Sequence, residues 1–157
     1  MSDSQTPEFE TDNGFLELIQ PRDEKYMEEL EEDIFDHGCR DAVCVWGNTL
    51  IDGHLRYSIC KKWDIRFNIR RLIFQSRDEA EAYLCAEQLK RTDLTSEYKK
   101  YLIGRLFRAD MNATSAAFLR EHPEKQPNAD GQISQKYVQK TEIATIIGKE
   151  YNFGFST

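Results

Sequence analysis

The stretch from residue 41 to residue 63 constrains the fold more than any other part of the sequence. The letters DAVCVW and TLID predict two strands, and Gly47–Asn48 between them is a turn signal, so together they predict a β-hairpin. The letters GHLRYSICKKW follow directly and carry apolar residues at helical spacing. A hairpin that passes straight into a helix at Gly53 indicates a mixed α+β unit with a sharp turn at the glycine.

Segments before the hairpin predict one more strand and one more helix. Residues 15–19, FLELI, alternate apolar and polar side chains, which is typical of a strand. After Pro21 the letters RDEKYMEELEEDIFDH predict an acidic helix, and Gly38 is suited to be its C-cap. The acidic residues of this helix are expected to form a solvated face.

Segments after the hairpin extend the same pattern. The letters IRFNIRRLIF predict a strand, and SRDEAEAYLCAEQLK predicts a helix that starts with a capping box of Ser76 and Glu79. The letters LTSEYKKYLIGRLF predict a further helix. The expected fold class is therefore α+β, with a small mixed sheet, flanking helices and a helical C-terminal region.

Composition along the chain suggests four regions. Residues 1–13 are polar and acidic and are expected to be disordered, while residues 14–110 are expected to form the compact domain. Residues 111–133 are rich in small and polar residues and predict a linker. Residues 134–157 return to a helical pattern.

Overall composition narrows the class of protein. No apolar run approaches the roughly 20 residues that a membrane helix needs, and the N-terminus lacks the features of a signal peptide. We therefore expect a cytoplasmic protein that does not contact membranes. The formal net charge of −7 argues against binding nucleic acid over the whole surface, so any contact with DNA must be local.

The cysteines give no sign of a metal site or a redox motif. They form no CxxC pair and no zinc-type spacing with histidine. We expect buried, reduced thiols at all four positions. These positions are Cys39, Cys44, Cys60 and Cys85.

The corner after the hairpin carries the residues best suited to bind a ligand. Gly53 permits close approach of a ligand, and the free N–H groups of the following helix turn favour anions. Arg56 can add a bidentate contact to phosphate. His54 can donate a hydrogen bond, and Asp52 can hold a cation, orient a hydroxyl group or act as a base. A purely structural interpretation remains open, with Asp52 as a helix cap, Gly53 as a turn and Arg56 in a surface ion pair.

Two motifs resemble the N-terminal domain of ParB proteins, in the ParB/sulfiredoxin-fold superfamily. The first is an acidic helix ending in HG, a hydrophobic hairpin and a Gly-x-x-Arg helix start, present here as LEEDIFDHGCRDAVCVW and TLIDGHLRYSICKKWDI. The second is similar to the Glu-Asn-x-x-Arg-x-Asp-Leu pattern of partition proteins and reads EQLKRTDL here. The resemblance covers roughly residues 15–110.

The resemblance implies binding of a nucleoside triphosphate, CTP or a related one, with magnesium. It implies that Gly53 and Arg56 hold the phosphates and that Glu87 and Gln88 take the places of the metal-binding pair, where Gln departs from the family's Asn. Arg91 matches the motif's arginine, as a phosphate or structural partner.

The resemblance also implies that the loop after HG contacts the base. Here that loop is Gly38, Cys39 and Arg40, followed by Asp41 and Ala42 in place of the frequent Gln-Pro. This departure leaves the base preference open.

The C-terminal letters IGKEYNFGFST look like the start of a helix-turn-helix, which ParB-like proteins carry after this domain. The sequence ends before a recognition helix is complete, and a truncated chain is one expectation; a terminal helix packed on the core is the alternative. The implied function is that of a DNA-partition, replication or transcription-regulatory protein from a plasmid, mobile element or chromosome, forming a homodimer. A local basic strip is a candidate DNA contact, consisting of Lys61, Lys62, Arg66, Arg70 and Arg71.

Two other functions remain open. Free-serine kinases of this fold carry Asp-Gly-His-His-Arg, and DGHLR differs only at Leu55, so a small-substrate phosphotransferase with Asp52 as candidate catalytic base is an alternative. The other is a DNA-binding adaptor that has lost the ligand. Slow hydrolysis of the nucleotide is also left open. Sulfiredoxin chemistry is not expected, because His54 stands where its catalytic cysteine would be.

Overall fold

A computed structural model describes residues 6–121 and 140–151 of the chain. The chain forms two compact units, the first ending at Phe74 and the second beginning at Gln75. The compact domain expected over residues 14–110 is thus divided between two units.

The first unit contains a four-stranded sheet and three helices within its described residues. Its elements in chain order are β1 (Glu10–Thr11), α1 (Asn13–Leu16), α2 (Glu24–His37), β2 (Val43–Trp46), β3 (Thr49–Asp52), α3 (His54–Trp63) and β4 (Ile69–Leu72).

The sheet is built around the predicted hairpin. Strands β2 and β3 pair antiparallel, with Val45 opposite Leu50. The outer strands β1 and β4 pair parallel with β3 and β2, which gives the order β1-β3-β2-β4. The prediction of a mixed sheet is confirmed, and the hairpin is confirmed with Gly47 at φ +59° in its turn.

One face of the sheet forms a core with α3. Because side chains alternate along a strand, Val43 and Val45 point to the same face, where they cluster with Leu50 of β3 and Tyr57 of α3. The Tyr57 hydroxyl donates to the Pro7 carbonyl at 3.3 Å and accepts from the Phe9 amide at 3.0 Å. This side chain therefore ties the N-terminal segment to the core.

The N-terminal segment is more ordered than the sequence suggested. Strand β1 places Glu10 opposite Thr49 and Thr11 opposite Leu50, so the expectation of disorder over residues 1–13 does not hold for residues 6–13. Backbone pairing with β3 and the bonds to Tyr57 supply the order that local composition did not indicate. Residues 1–5 lie outside the described part of the chain.

The strand predicted over residues 15–19 is wrong. Helix α1 and a following turn occupy this segment, and the Asp12 carboxylate accepts a hydrogen bond from the Phe15 amide at the helix start. Phe15 and Leu18 are buried, whereas Leu16 is 41% exposed. Burial at a spacing of three residues is helical, and the apparent alternation was too short to distinguish the two structures.

The second unit is helical within its described residues. It consists of α4 (Arg77–Leu89), α5 (Ser96–Glu121) and α6 (Lys140–Tyr151). Helix α4 packs along α5, and α6 contacts α5. Buried side chains recur at helical spacing on the packed helices, namely Ala80, Leu84, Leu102, Ile103, Leu106, Ala109 and Ile147.

The predicted start of α4 at Ser76 is confirmed, but one of the two capping-box hydrogen bonds has a different partner. The Ser76 hydroxyl accepts from the Glu79 amide at 3.2 Å, as the capping box requires. The Glu79 carboxylate accepts from the amide of Gln75 at 2.6 Å, one residue before the cap. Both bonds satisfy amide groups that precede or open the helix.

The linker predicted over residues 111–133 begins too early. Helix α5 continues to Glu121, because the small residues Ala113, Ala116 and Ala117 are strong helix formers and the first proline comes at Pro123. Residues 122–139 lie outside the described part. Helix α6 falls inside the predicted helical region, whereas the predicted turn after it lies outside the described residues.

None of the helices in residues 6–121 and 140–151 is long and apolar enough to cross a membrane.

Candidate functional site

Gly53 forms a one-residue turn between β3 and α3. Its φ of +90° lies in the left-handed region, which glycine adopts without the steric cost paid by other residues. The Asp52 carboxylate accepts a hydrogen bond from the Gly53 amide at 2.8 Å, and the Gly53 carbonyl accepts the first helical bond from Tyr57 at 2.9 Å. Helix α3 therefore begins immediately after the strand.

Arg56 folds back over this turn. A Cβ atom on Gly53 would lie 3.0 Å from Arg56 Nη2 and 3.3 Å from the Val43 Cα. Arg56 Nη2 donates to the Ala42 carbonyl at 3.2 Å, and its buried Nε has no hydrogen-bond partner among the described residues. The guanidinium is thus held by the backbone and retains unused donor capacity.

Arg56 lines a cavity of about 280 Å³ in the first unit. The structure brings together here the loop residues Gly38, Cys39 and Arg40 with the arginine of the Gly-x-x-Arg motif. The full lining is Leu30, Asp33, Ile34, Gly38, Cys39, Arg40, Asp41 and Arg56.

Arg40 already has an anionic partner. Its Nη2 lies 2.8 and 2.7 Å from the two carboxylate oxygens of Asp33 on α2, and His37 Nδ1 lies 3.1 Å from the same carboxylate. The hydrogen bond from Arg40 is the largest cause that lowers the pKa of Asp33. Asp33 belongs to the acidic helix that was expected to form a solvated face, and its i,i+4 spacing to His37 beside the C-cap places it near the loop.

His54 is the second polar group with unused hydrogen-bonding capacity. Both ring nitrogens are buried and have no partner among the described residues. Burial lowers the pKa of His54, and the negative charge of Asp52 opposes this effect. A neutral ring is therefore favoured over the charged form at the start of α3.

Asp52 does not have the predicted structural role of a helix cap. Its carboxylate accepts from the Gly53 amide, but the N-cap of α3 is Gly53 and no side-chain cap bond is made there. The role of catalytic base stays a prediction.

The second motif lies in the second unit, where its residues bond to one another. Arg91 donates to both carboxylate oxygens of Asp93 at 3.0 Å and through Nη1 to Gln88 Oε1 at 2.9 Å. Gln88 is only 5% exposed, and Glu87 is paired with Lys90. The motif thus forms a local network at the C-terminal end of α4.

This network does not fit a magnesium site. Magnesium prefers carboxylate, phosphate and water oxygens in octahedral geometry. Glu87 forms an exposed ion pair with Lys90, and the buried Gln88 amide oxygen already accepts from Arg91. In the described part of the chain, no group of three or more acidic, histidine or cysteine side chains is placed to hold a metal ion.

The predicted basic strip divides into two kinds of residue. Lys61 pairs with Glu8 at 3.0 Å and Lys62 pairs with Glu31 at 2.5 Å. By contrast, three exposed arginines have no ion-pair partner within residues 6–121 and 140–151. They are Arg66, before β4, and Arg70 and Arg71 on β4, an edge strand of the sheet.

The cysteines are free, as expected. Three of them are buried, and Cys39 is partly exposed in the loop after α2. Burial raises the pKa of Cys60, and the neighbouring Cys39 thiol adds to this effect. Burial also raises the pKa of Cys85 to about 12. These thiols are protonated at neutral pH.

Comparison with solved structures identifies the fold. Two structures of a pNOB8-like ParB N-domain match the chain with TM-scores of 0.61 and 0.60, at 20% and 18% sequence identity. The matches cover 91% and 90% of this chain but 59% and 54% of the solved chains, so this chain spans less than two thirds of their length. No protein-family model and no curated protein matches the sequence. The chain has the fold of a ParB N-terminal domain, as the sequence motifs indicated.

The turn at Gly53 generates a stability prediction. Alanine at Gly47, which has open space around it, should lower the free energy of unfolding by about 1–2 kcal/mol through left-handed strain alone. Gly53→Ala should cost more, about 2–4 kcal/mol, because its Cβ also meets Val43 and Arg56. Urea unfolding of both variants checks this, and equal losses would show that the close approach costs nothing.

The burial of His54 generates a pH prediction. Its pKa is lower in the folded chain than the value of about 6.5 in the unfolded chain, so the unfolded state binds more protons between the two values. Stability should therefore fall as the pH drops below about 6.5, and His54→Gln should lose this component. Urea unfolding at one pH above and one pH below this value measures how the free energy of unfolding changes with pH. An unchanged pH response in His54→Gln contradicts the prediction.

Proposed function

We propose that the first unit binds the phosphate chain of a nucleoside triphosphate, with CTP as the first candidate, within a ParB-like partition or regulatory protein. The observation that carries the proposal is the Arg56 guanidinium, which is folded over Gly53 and lines a cavity together with Arg40. The family resemblance of the corner and the ParB N-domain fold support the same ligand class.

The electrostatics of the corner favour an anion. Helix α3 has no side-chain cap at Gly53, so the amide groups of its first turn keep their partial positive charge unsatisfied by a cap. Arg56 lies in that first turn, and its buried Nε has no partner in the described part of the chain. A phosphate oxygen is the acceptor that these donors are suited to.

The two cavities have volumes that suit a nucleotide whose phosphate chain lies in one and whose nucleoside lies in the other. The cavity at Arg56, about 280 Å³, lies just below the range of roughly 300–1,000 Å³ that is typical of pockets for whole small molecules. It suits a phosphate chain better than a complete nucleotide. A wider cavity of about 510 Å³ shares Cys39 with it and is lined by Phe67, Arg66 and Asn68 among others. In this proposal the nucleoside lies over the wider cavity.

The protein is proposed to supply no ligand to a bound magnesium ion. The predicted pair, Glu87 and Gln88, is engaged with Lys90 and Arg91. A magnesium ion brought with the nucleotide takes its ligands from phosphate oxygens and water. Recognition of the phosphates then depends on Arg56 and the amides of α3.

Contact with DNA is the second part of the proposal. Arg70 and Arg71 are exposed on the edge strand β4 and have no ion-pair partner in the described part of the chain. Free guanidinium groups on an exposed strand are suited to contact backbone phosphates without reading sequence. Such a local contact is compatible with a net charge of −7.

Replacing Arg56 tests the nucleotide site. Arg56→Ala should abolish saturable binding in calorimetric titrations with CTP, ATP, GTP and UTP, each with magnesium. The fold should persist, because the change removes one hydrogen bond to the Ala42 carbonyl. Thermal unfolding of the same samples measures this.

Arg70→Ala is the matched control, since it removes the same charge from an exposed position of the same unit. It should bind nucleotide as the unchanged chain does. Persistent binding in Arg56→Ala would make the corner structural, ATP preference would favour a phosphotransferase, and no binding at millimolar nucleotide would favour the adaptor that lacks a ligand.

The DNA contact is tested by removing both free arginines of β4. Arg70→Ala with Arg71→Ala should weaken binding to a labelled duplex and reduce the slope of log K against log salt by about 1 for each arginine. Lys61→Ala with Lys62→Ala removes the same charge from residues already paired with Glu8 and Glu31, so its effect should be smaller. Fluorescence anisotropy over a salt series measures both, and equal effects of the two pairs would contradict the assignment.

A further inference from the structure

We propose that Asp33 competes with the incoming phosphate chain for Arg40 and thereby limits the affinity of the site for anions. This inference rests on the proposed nucleotide site and gives a role to Asp33, which the sequence predicts only as part of a solvated face. Its basis is the Asp33 carboxylate, which is hydrogen-bonded to Arg40, one of the two arginines that line the cavity.

The contact between Asp33 and Arg40 has the chemistry of an arginine–phosphate contact. Both carboxylate oxygens lie within 2.8 Å of Arg40 Nη2, a distance typical of a charge-assisted hydrogen bond. The carboxylate therefore takes the place that a phosphate oxygen would take on this guanidinium. A phosphate oxygen cannot take this position on Arg40 Nη2 until the carboxylate leaves it.

The pair can be exchanged at low cost. The side chains of Arg40 and Asp33 are 68% and 40% exposed, so water screens their attraction and can solvate either partner. Asp33 also has a second partner, because His37 Nδ1 lies 3.1 Å from its Oδ1. When Arg40 turns to a ligand, the carboxylate retains this contact.

The same carboxylate opposes the ligand's charge. The cavity is lined by two arginines, Arg40 and Arg56, and by two aspartates, Asp33 and Asp41. Their formal charges cancel, which is unfavourable for a ligand with several negative charges. Removing the charge of Asp33 should both release Arg40 and leave the cavity with a net positive charge.

Asp33→Asn tests the competition, with Asp36→Asn as its matched control. Both changes remove one negative charge from α2, but Asp36 is exposed and does not line the cavity. Each variant of the 157-residue chain is titrated with CTP and with inorganic tripolyphosphate, which separates the phosphate contribution from that of the base. The titrations with both probes are repeated for Arg40→Ala and for Arg40→Ala combined with Asp33→Asn.

Asp33→Asn should bind both probes about threefold to fivefold more tightly, the factor expected when an exposed ion pair no longer competes. Asp36→Asn should change the affinity by less than about 1.5-fold, because a screened charge outside the cavity contributes little. In the Arg40→Ala background the gain from Asp33→Asn should shrink, since the released donor is absent.

Three results would overturn the inference. Weaker binding in Asp33→Asn would show that Asp33 positions Arg40 for the ligand, and unchanged binding would show that the two do not compete. An equal gain in Asp36→Asn would show only a general charge effect. If Arg56→Ala abolishes binding but Asp33→Asn changes nothing, this inference fails and the proposed function stands; if neither the unchanged chain nor Asp33→Asn binds either probe, both fail.

Discussion

The left-handed turn at Gly53 is the constraint on which the first unit depends. Strand β3 ends at Asp52 and helix α3 begins at His54, so a single residue must reverse the chain. The φ of +90° favours glycine here, and the Val43 Cα would lie 3.3 Å from a Cβ at this position, which is tighter than most such contacts. Because the turn fixes the start of α3, it also fixes where Arg56 lies and brings Tyr57 to the N-terminal segment.

Three arginines of the two motifs have different environments, and these environments decide what each can do. Arg56 is held by a backbone carbonyl, and its Nε has no partner within residues 6–121 and 140–151. Arg40 is exposed and paired with the Asp33 carboxylate. Arg91 is satisfied within its own helix end by Asp93 and Gln88, so it stabilises a local structure. The same residue type thus has a different set of partners at each of the three positions.

Prediction from the sequence succeeded where local signals were strong and agreed. Gly47–Asn48 between apolar runs gave the hairpin, and Ser76 with Glu79 marked the start of α4. It failed where a short pattern was ambiguous, as in FLELI, whose burial at Phe15 and Leu18 is helical. It also placed the end of α5 too early, because small residues are found both in loops and in helices.

At the site, short-range sequence signals were enough to predict a glycine that permits the turn and an arginine three residues later in the first turn of a helix. Only the tertiary structure showed that Arg40 is paired with Asp33, because this contact joins a helix to the loop beyond its cap through side-chain geometry that no spacing rule specifies. Only the structure showed that Gln88 is buried and bonded to Arg91, since burial depends on how α4 packs along α5. Local backbone preferences are written in short stretches of sequence, whereas partners for charged side chains are set by which elements meet in the fold.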